Sequence, residues 1–362
     1  MTARHITICF HDFARGGTER VALTLARGWL DAGREVTILC GSKGGGTIDQ
    51  VDPRVRIVEL DPPIPRSLTS RLHLGRAMAG PLAALAPDVV FIPGNFHFVL
   101  PPAFKAALPG LPVVAKVSNP LLPRLIPGLD VIARAGLRAY VRPIDALVFM
   151  ADELAEEGRR ALPGKRIEVI AEPNLPAGWR PLPRTAPLDP PRIIAIGRME
   201  PQKNLSLALR AFAELRKVRP ARLLVLGEGA ERGKLEALAA SLGIAGDVEM
   251  PGYSAKAGEE LAKASALLLT SRYEGYPAVV VEALAADVPV VATDCTPVLP
   301  GLLPSVVHGR IAPQGDAAAL AEALGEVLDG PFNSGEIRPA QVSHHDAQAS
   351  AEAYLRLFDS LV

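Results

Sequence analysis

The strongest constraint on this chain is an alternation that runs from end to end: short apolar runs of strand length take turns with longer segments whose apolar residues recur at helical spacing. Ile6-Thr7-Ile8-Cys9-Phe10 comes first, followed by Val21, Ala22, Leu25, Ala26 and Trp29 at helical spacing. Further β-rich runs stand at 36–39, 55–60, 89–92, 113–117 and 146–149, mostly bounded by Gly, Pro or Asp. Strands that are apolar throughout are buried on both faces, as in a parallel sheet covered by helices. The grammar is βαβ, and it predicts an α/β fold of the doubly wound, Rossmann-like kind.

A Pro-dense interval at 173–191 interrupts the alternation, with Pro176, Gly178, Pro181, Pro183, Pro187 and Pro190 between its ends. It reads as a linker. The alternation then restarts, with strands at 192–196, 222–226, 248–250, 266–269 and 288–292 and helices at 205–217, 231–242, 256–264 and 277–286. That predicts a second doubly wound sheet, whose ligands gather beyond the carboxyl ends of its strands. Helices at 317–328 and 347–361 close the chain. A length of 362 residues is enough for two cores. The expected organisation is an N-terminal domain at 1–173, a linker at 174–191, a second domain at 192–342 and a terminal helical segment at 343–362.

With 49% hydrophobic and 22% charged residues, the chain is too apolar for disorder. Its 39 basic residues balance 39 acidic ones, so no nucleic-acid partner is expected. The halves differ: residues 1–180 hold 22 Lys and Arg against 17 Asp and Glu, residues 181–362 hold 17 against 22, and the charges of +5 and −5 suggest different partners. Cys9, Cys40 and Cys295 are too few and scattered for a disulfide framework or a CxxC metal site, and read as buried thiols in a reducing compartment. Residues 1–10 read as a strand rather than a signal peptide. The longest uncharged stretch, between Asp88 and Lys105, is broken by Pro93, Pro101 and Pro102, so no spanning helix is expected. The protein is expected to be cytoplasmic, lying at most on the inner face of a membrane.

Three loops could carry chemistry. Arg15-Gly16-Gly17-Thr18-Glu19-Arg20 joins the first strand to the first helix, where paired glycines let backbone amides approach an anion; a plain tight turn is the alternative. It lacks GxGxxG spacing, which weakens a dehydrogenase reading. Gly197-Arg198-Met199-Glu200-Pro201-Gln202-Lys203-Asn204 follows a strand and precedes a helix. There Arg198 can offer a planar fork and Lys203 a point charge to a diphosphate, unless the loop is simply solvated. The sharpest stretch is Ser271-Arg272-Tyr273-Glu274-Gly275-Tyr276-Pro277, leading into Ala278-Val279-Val280-Val281-Glu282. Pro277 suits the first helical position, placing Glu274 in the loop and Glu282 in the second turn, beside amides where an anion would bind. Carboxylates there are suited to sugar hydroxyls rather than phosphates; a structural salt bridge is the alternative, and Glu282 among valines should have a partner.

At these residues the chain resembles glycosyltransferase family 4, retaining enzymes of the two-domain GT-B fold, and in particular bacterial hexose and N-acetylhexosamine transferases. The motif that carries the likeness is Glu-x7-Glu, here Glu274 to Glu282, with Gly275-Tyr276-Pro277 inside it, supported by Gly197-Arg198 with Lys203, by Leu226-Gly227-Glu228-Gly229 and by Gly16-Gly17-Thr18-Glu19-Arg20. The resemblance implies that Arg198 and Lys203 bind a donor diphosphate, Glu282 the ribose and Glu274 the transferred sugar. Gly227 and Gly229 would wall the nucleoside, Gly16 and Gly17 would face donor phosphate and acceptor, and Ser118-Asn119-Pro120 would lie on the acceptor side. Many members carry His-x-His after the fourth strand, whereas this chain has Phe91-Ile92-Pro93 there and His97 only later. His97 then faces the donor sugar or serves as a core or capping residue. The terminal helix would pack back on the N-terminal domain, presenting Ala349, Ala353, Leu357 and Val362 near one face.

The implied activity is retaining transfer of a sugar from a nucleotide diphosphate sugar, a UDP-sugar favoured over a GDP-sugar, to a glycan or lipid-linked acceptor in cell-surface polysaccharide synthesis. No other cofactor is implied. No Asp-x-Asp occurs, so a basic clamp without a metal is expected. His344-His345-Asp346 reads as a loop or helix cap rather than a metal site. Two rivals are an epimerase of the same fold and a non-catalytic donor-binding subunit. A contact with anionic membrane is suggested by Arg66, Arg71 and Arg76, and by Arg134, Arg138 and Arg142 on one predicted helical stripe beside Leu129, Ile132, Ala133, Gly136, Leu137 and Tyr140. The alternative is a solvated face on a helix that packs its apolar side inwards.

Overall fold

The computed structural model describes residues 1–14, 16–67, 69–119, 121, 130–181, 184, 188–254 and 256–362. Arg15, Pro120, Leu129, Pro183 and Pro187, named above, lie outside the described residues, as do the side chains of Ile132 and Ala133. The chain divides into two units, Met1–Gly178 with His345–Val362, and Trp179–His344.

In the first unit the order is β1 (His5–Phe10), α1 (Gly17–Asp31), β2 (Glu35–Cys40), β3 (Arg56–Glu59), α2 (Ser70–Leu85), β4 (Val89–Ile92), α3 (Pro101–Ala107), β5 (Val113–Lys116), α4 (Asp130–Val141), β6 (Ala146–Phe149), α5 (Asp152–Ala161) and β7 (Arg166–Val169). The second unit has β8 (Arg192–Ile196), α6 (Leu205–Arg216), β9 (Arg222–Leu226), α7 (Arg232–Ser241), β10 (Val248–Gly252), α8 (Ala257–Ala262), β11 (Ala266–Leu269), α9 (Ala278–Ala285), β12 (Val290–Thr293), α10 (Leu299–Leu302), β13 (Gly309–Ala312), α11 (Ala317–Asp329) and α12 (Ile337–Gln341), before α13 (Ala347–Asp359) returns to the first.

Both sheets are parallel, with strand orders β3-β2-β1-β4-β5-β6-β7 and β10-β9-β8-β11-β12-β13. The α/β fold of two doubly wound domains is therefore as the alternation predicts. In each sheet the order reverses once, between β1 and β4 and between β8 and β11, the position beyond whose strand ends doubly wound sheets bind their ligands. The edge strands β7 and β13 carry no unbroken apolar run to mark them, since Arg166 and Glu168 interrupt the first and Arg310 the second.

The first core gathers around Trp29 of α1, which is fully buried and meets Phe91 edge-on at 5.4 Å and Phe358 of α13 at 5.1 Å. Its indole N–H donates to the Ala351 carbonyl at 3.2 Å. Tyr354, Leu355, Leu357 and Phe358 of α13 are all buried in this core. Asp346 caps α13 by accepting from the N–H groups of Gln348 and Ala349, and His345 is buried with Nδ1 against the Glu172 carbonyl. Within the interval 174–191 the division falls after Gly178, and Arg184 belongs to the second unit. There its guanidinium stacks 3.6 Å from the Phe332 ring and donates to the Asp287 carbonyl.

Helix α4 ends at Val141, so Arg142 falls outside it and the predicted helical stripe keeps two arginines, not three. Leu137 and Val141 are buried, and Arg138 donates to the Ala161 carbonyl at 3.2 Å. That part of the apolar surface packs inwards; Tyr140 is exposed. Among the described residues, no helix is long and apolar enough to cross a membrane. All three cysteines are buried, and burial pushes the Cys40 and Cys295 thiols up to about 12.

Candidate active site

In the second unit the loops after β8 and β11 lie side by side at the order reversal. The Arg272 N–H donates to the Gln202 carbonyl at 2.8 Å, the Gln202 amide to the Tyr273 carbonyl at 3.0 Å, and the Thr270 hydroxyl to the Lys203 and Asn204 carbonyls at 3.1 Å. This lattice brings Lys203 and Glu274 together: Lys203 Nζ lies 2.6 Å from Glu274 Oε1. The buried Ser271 hydroxyl donates to the same oxygen at 2.6 Å, and the Glu274 N–H donates to the Cys295 carbonyl at 3.0 Å. Both side-chain bonds fall on Oε1, so among the described residues Oε2 keeps its lone pairs for something else.

Ser271 is held in turn. Its carbonyl accepts from the Thr293 hydroxyl at 2.8 Å and from the Gln314 amide at 3.1 Å, while the same amide reaches the Asp294 carbonyl at 2.9 Å. Gln314 thus ties together the ends of β11 and β12. Ser271 opens the 271–277 stretch with no role legible from the sequence, and no motif marks Gln314.

The remaining residues take separate positions. Arg198 is exposed and pairs with Glu200 at 2.8 Å, a solvent-facing contact worth little and easily exchanged for another anion. Gly227 and Gly229, at φ +145° and +158°, let the β9 loop lie against the β8 loop. A Cβ at Gly227 would come within 1.9 Å of the Gly197 carbonyl oxygen, and one at Gly229 within 2.4 Å of that of Met199. Their glycine identity is therefore a packing requirement. Gly275 is buried, its carbonyl accepting from the Thr296 hydroxyl, and Tyr276 is half-buried. Pro277 is the N-cap of α9, not its first helical residue, with φ −84° and ψ 82°. Glu282 is half-buried in the second turn, so it is not sealed among the valines that precede it.

Gly16, Gly17 and His97 belong to the first unit. A Cβ on Gly16 would stand 2.5 Å from Glu19 Oε2, so the start of α1, expected to meet an anion, already has a carboxylate of its own chain against it. Arg66 joins Glu19 (3.2 Å) to Asp12 (2.7 Å), donating to Asp12 through both Nε and Nη2. Burial raises the Glu19 carboxyl above its usual range. Burial also acts to raise Asp12, but the Arg66 bonds and the Ala14 N–H outweigh it and hold Asp12 low. His97 is buried and accepts from the His11 N–H through Nε2 at 3.0 Å. Burial, with Arg66 and His11 nearby, pushes it down to about 3, so the ring is neutral and Nδ1 carries its proton. The ring thus ties the end of β4 to the backbone just after β1. Asn95 links the ends of β4 and β5, its Oδ1 accepting from the Ser118 N–H at 2.7 Å and its amide donating to the Asn119 carbonyl at 2.8 Å. Among the described residues, no group of three or more His, Cys, Asp or Glu is placed to hold a metal ion.

Comparison with known proteins bears on both units. A family described as "Glycosyl transferase 4-like domain" matches residues 16–174, and one described as "Glycosyl transferases group 1" matches residues 183–342. An exopolysaccharide phosphotransferase of Streptomyces coelicolor is 33% identical over 191 residues, 51% of this chain and 20% of that protein. The lipopolysaccharide core biosynthesis glycosyltransferase LpsE of Rhizobium meliloti is 29% identical over 180 residues, 48% of this chain and 51% of that one. The chain thus spans from about a fifth to about half of these relatives. The structure of HepE from Anabaena, solved with UDP and glucose, superposes with a TM-score of 0.69 at 17% identity, covering 99% of this chain and 97% of that one. Two matched domains that together take in most of the chain, on two parallel sheets that superpose end to end on a solved relative, make this chain a member of the glycosyltransferases of the GT-B fold.

Proposed function

We propose that the chain transfers a sugar, with retention of anomeric configuration, from a nucleotide diphosphate sugar to a glycan or lipid-linked acceptor in cell-surface glycan synthesis. The observation that carries this reading is Glu274, fixed through one oxygen by Ser271 and Lys203 at the order reversal of its sheet, with the other oxygen left for a hydroxyl. Lys203 has three N–H groups, so the bond to Glu274 leaves two for the donor diphosphate. Arg198 exchanges Glu200 for the same group, and the two cations stabilise charge as the diphosphate departs. Glu282 takes the ribose hydroxyls, Gly227 and Gly229 line the nucleoside side, and Gly275-Tyr276-Pro277 shape the start of α9 beside it. Gly16, Gly17 and His97 serve the acceptor side and the transferred sugar. The cationic clamp supports transfer without a metal. A UDP-sugar is the favoured donor, supported by the nucleotide in the HepE structure.

The test is a panel of UDP-, GDP- and ADP-sugars read by thermal shift and by product. Stabilisation by a UDP-sugar and release of UDP support the reading. Release of UMP would mean phosphosugar transfer, the chemistry named in the Streptomyces relative, and a changed sugar without acceptor would mean epimerisation. Glu282→Ala should weaken donor binding, whereas Glu274→Ala should lower turnover more than UDP binding. Activity lost with EDTA and restored by a divalent ion would overturn the metal-free clamp. The acceptor is presented at a membrane surface, met by the exposed Arg71, Arg76 and Arg134. Anionic vesicles should then sediment the protein at low salt, and no binding would leave a soluble glycan as acceptor.

A further inference from the structure

We propose that Gln314 is a positioning residue for sugar transfer: its amide, reaching in from the loop after β13, holds the 271–274 loop in the form that aims Ser271 and Glu274. This rests on the glycosyltransferase reading and adds to it a residue that acts only through others. Four carbonyls of the segment 271–275 accept from side chains of other loops. Ser271 accepts from Thr293 and Gln314, Arg272 from Gln314, Tyr273 from Gln202 and Gly275 from Thr296. Among the described residues Gln314 alone serves two of the four, and it takes the Asp294 carbonyl of the β12 loop as well.

The chemistry of the contact fixes its direction. A carboxamide nitrogen carries two hydrogens, and carbonyls at 2.9, 3.1 and 3.4 Å share them. The oxygen end of the amide could replace none of these bonds, so the side chain has one usable orientation. Burial does not account for the residue. Gln314, Arg272 and Asp294 are all exposed, and water could meet the last two carbonyls equally well. What water cannot supply is a fixed span from β13 to the loops of β11 and β12. The consequence lies one residue away. Ser271 carries the carbonyl that Gln314 holds and also the hydroxyl that donates to Glu274 Oε1 at 2.6 Å. A shift of the Ser271 backbone by about 1 Å breaks that bond and lets the carboxylate turn, and a displacement of this size can cost about 10²-fold in rate. Thr293 keeps part of the restraint on Ser271, so the expected loss is smaller. Lys203 is held by Glu274 and by its own loop, so nucleotide affinity is left as it was.

Gln314→Met keeps the side chain's length and removes its donors; Gln314→Glu keeps its shape, sets a carboxylate against three carbonyls and serves where the first variant does not fold. In steady-state assays on the full chain with the nucleotide sugar that it uses, either change should lower kcat about tenfold and leave KM and UDP affinity within about twofold. In a double-mutant cycle, Gln314→Met on a Ser271→Ala background should cost less than about a further twofold, because both act on one bond. A full further tenfold would mean that Gln314 acts apart from Ser271 and overturn the proposal, as would a raised KM at constant kcat, the mark of direct donor contact. Hydrogen exchange read by mass spectrometry, without substrate, gives an answer independent of activity: in Gln314→Met, peptides covering 270–277 should exchange about tenfold faster and those covering 226–230 at the wild-type rate. Uniformly faster exchange with a lower Tm would make Gln314 a plain structural brace and overturn the proposal. The two readings fail separately. Nucleotide-sugar turnover with kcat and exchange unmoved in both variants refutes the positioning role alone, and faster exchange at 270–277 in a chain that uses no nucleotide sugar refutes the transferase reading alone.

Discussion

The two units solve the same problem with opposite charge arithmetic. In the second, one carboxylate, Glu274, receives two donors, Ser271 and Lys203, and the group is electrically balanced. In the first, one guanidinium, Arg66, serves two carboxylates, so the group carries an excess negative charge when both are ionised. The balanced cluster is preorganised, since its bonds exist before any substrate arrives. The unbalanced one holds a raised Glu19 and a buried imidazole nitrogen with no hydrogen-bond partner among the described residues.

Breaking the balanced cluster should have the largest effect. Lys203→Ala removes a donor to Glu274 and half of the proposed diphosphate clamp, and turnover should fall about 10²- to 10³-fold in a steady-state assay. A decrease of less than about threefold would show that Glu274 needs no cation to work. Arg66→Met leaves two buried carboxylates facing each other without a counter-charge. After discounting for the partial exposure of Arg66, we expect about 2 kcal/mol of lost stability at neutral pH, measured by urea unfolding. That loss should shrink as acid protonates Glu19, the carboxyl already held high; a loss constant with pH would mean that packing, not charge, is responsible.

Ser271→Ala should cost about tenfold in turnover with little change in nucleotide affinity, because it removes one of the two bonds to Glu274 Oε1 and leaves Lys203 in place. Ser271→Thr keeps the hydroxyl and should recover most of the activity; equal loss in both would point to backbone packing. The smallest effect sharpens the contrast most. Glu19→Gln removes one of two competing charges, so stability should hold or rise slightly at neutral pH. Glu19 has a raised folded pKa and favours folding only when protonated, so any gain should vanish below its ordinary value of 4.5. The mirror substitution Glu274→Gln carries no such relief, and a calorimetric comparison of the two separates the clusters.

How much was legible follows the same line. Glu274 and Glu282 stand in one local stretch, so spacing alone placed one on a loop and the other in the second helical turn. Lys203 could be suspected from its position between a strand and a helix, but its pairing with Glu274, seventy-one positions away, is a tertiary fact. Asp12, Arg66 and His97 form no motif at all; Arg66 looked like one of several basic residues until its carboxylates were visible. Gln314 was silent for the same reason, as an amide in a loop whose three acceptors come from other loops.

The sequence by itself determined the two parallel sheets, because uninterrupted apolar runs between amphipathic segments can be buried in few other ways. It also determined which strand ends carry charged loops. Only the tertiary structure decided that α13 packs against α1, since Trp29 and Phe358 are far apart in sequence and any apolar face would have accepted that helix. It alone decided that Arg66 is spoken for and that the histidine at 97 lends its Nε2 to a backbone N–H and keeps a bare Nδ1. Apolar patterning is a local property, repeated along the chain and readable residue by residue. Charge pairing depends on which loops the fold brings within a few ångströms, and no spacing along one strand of text records it.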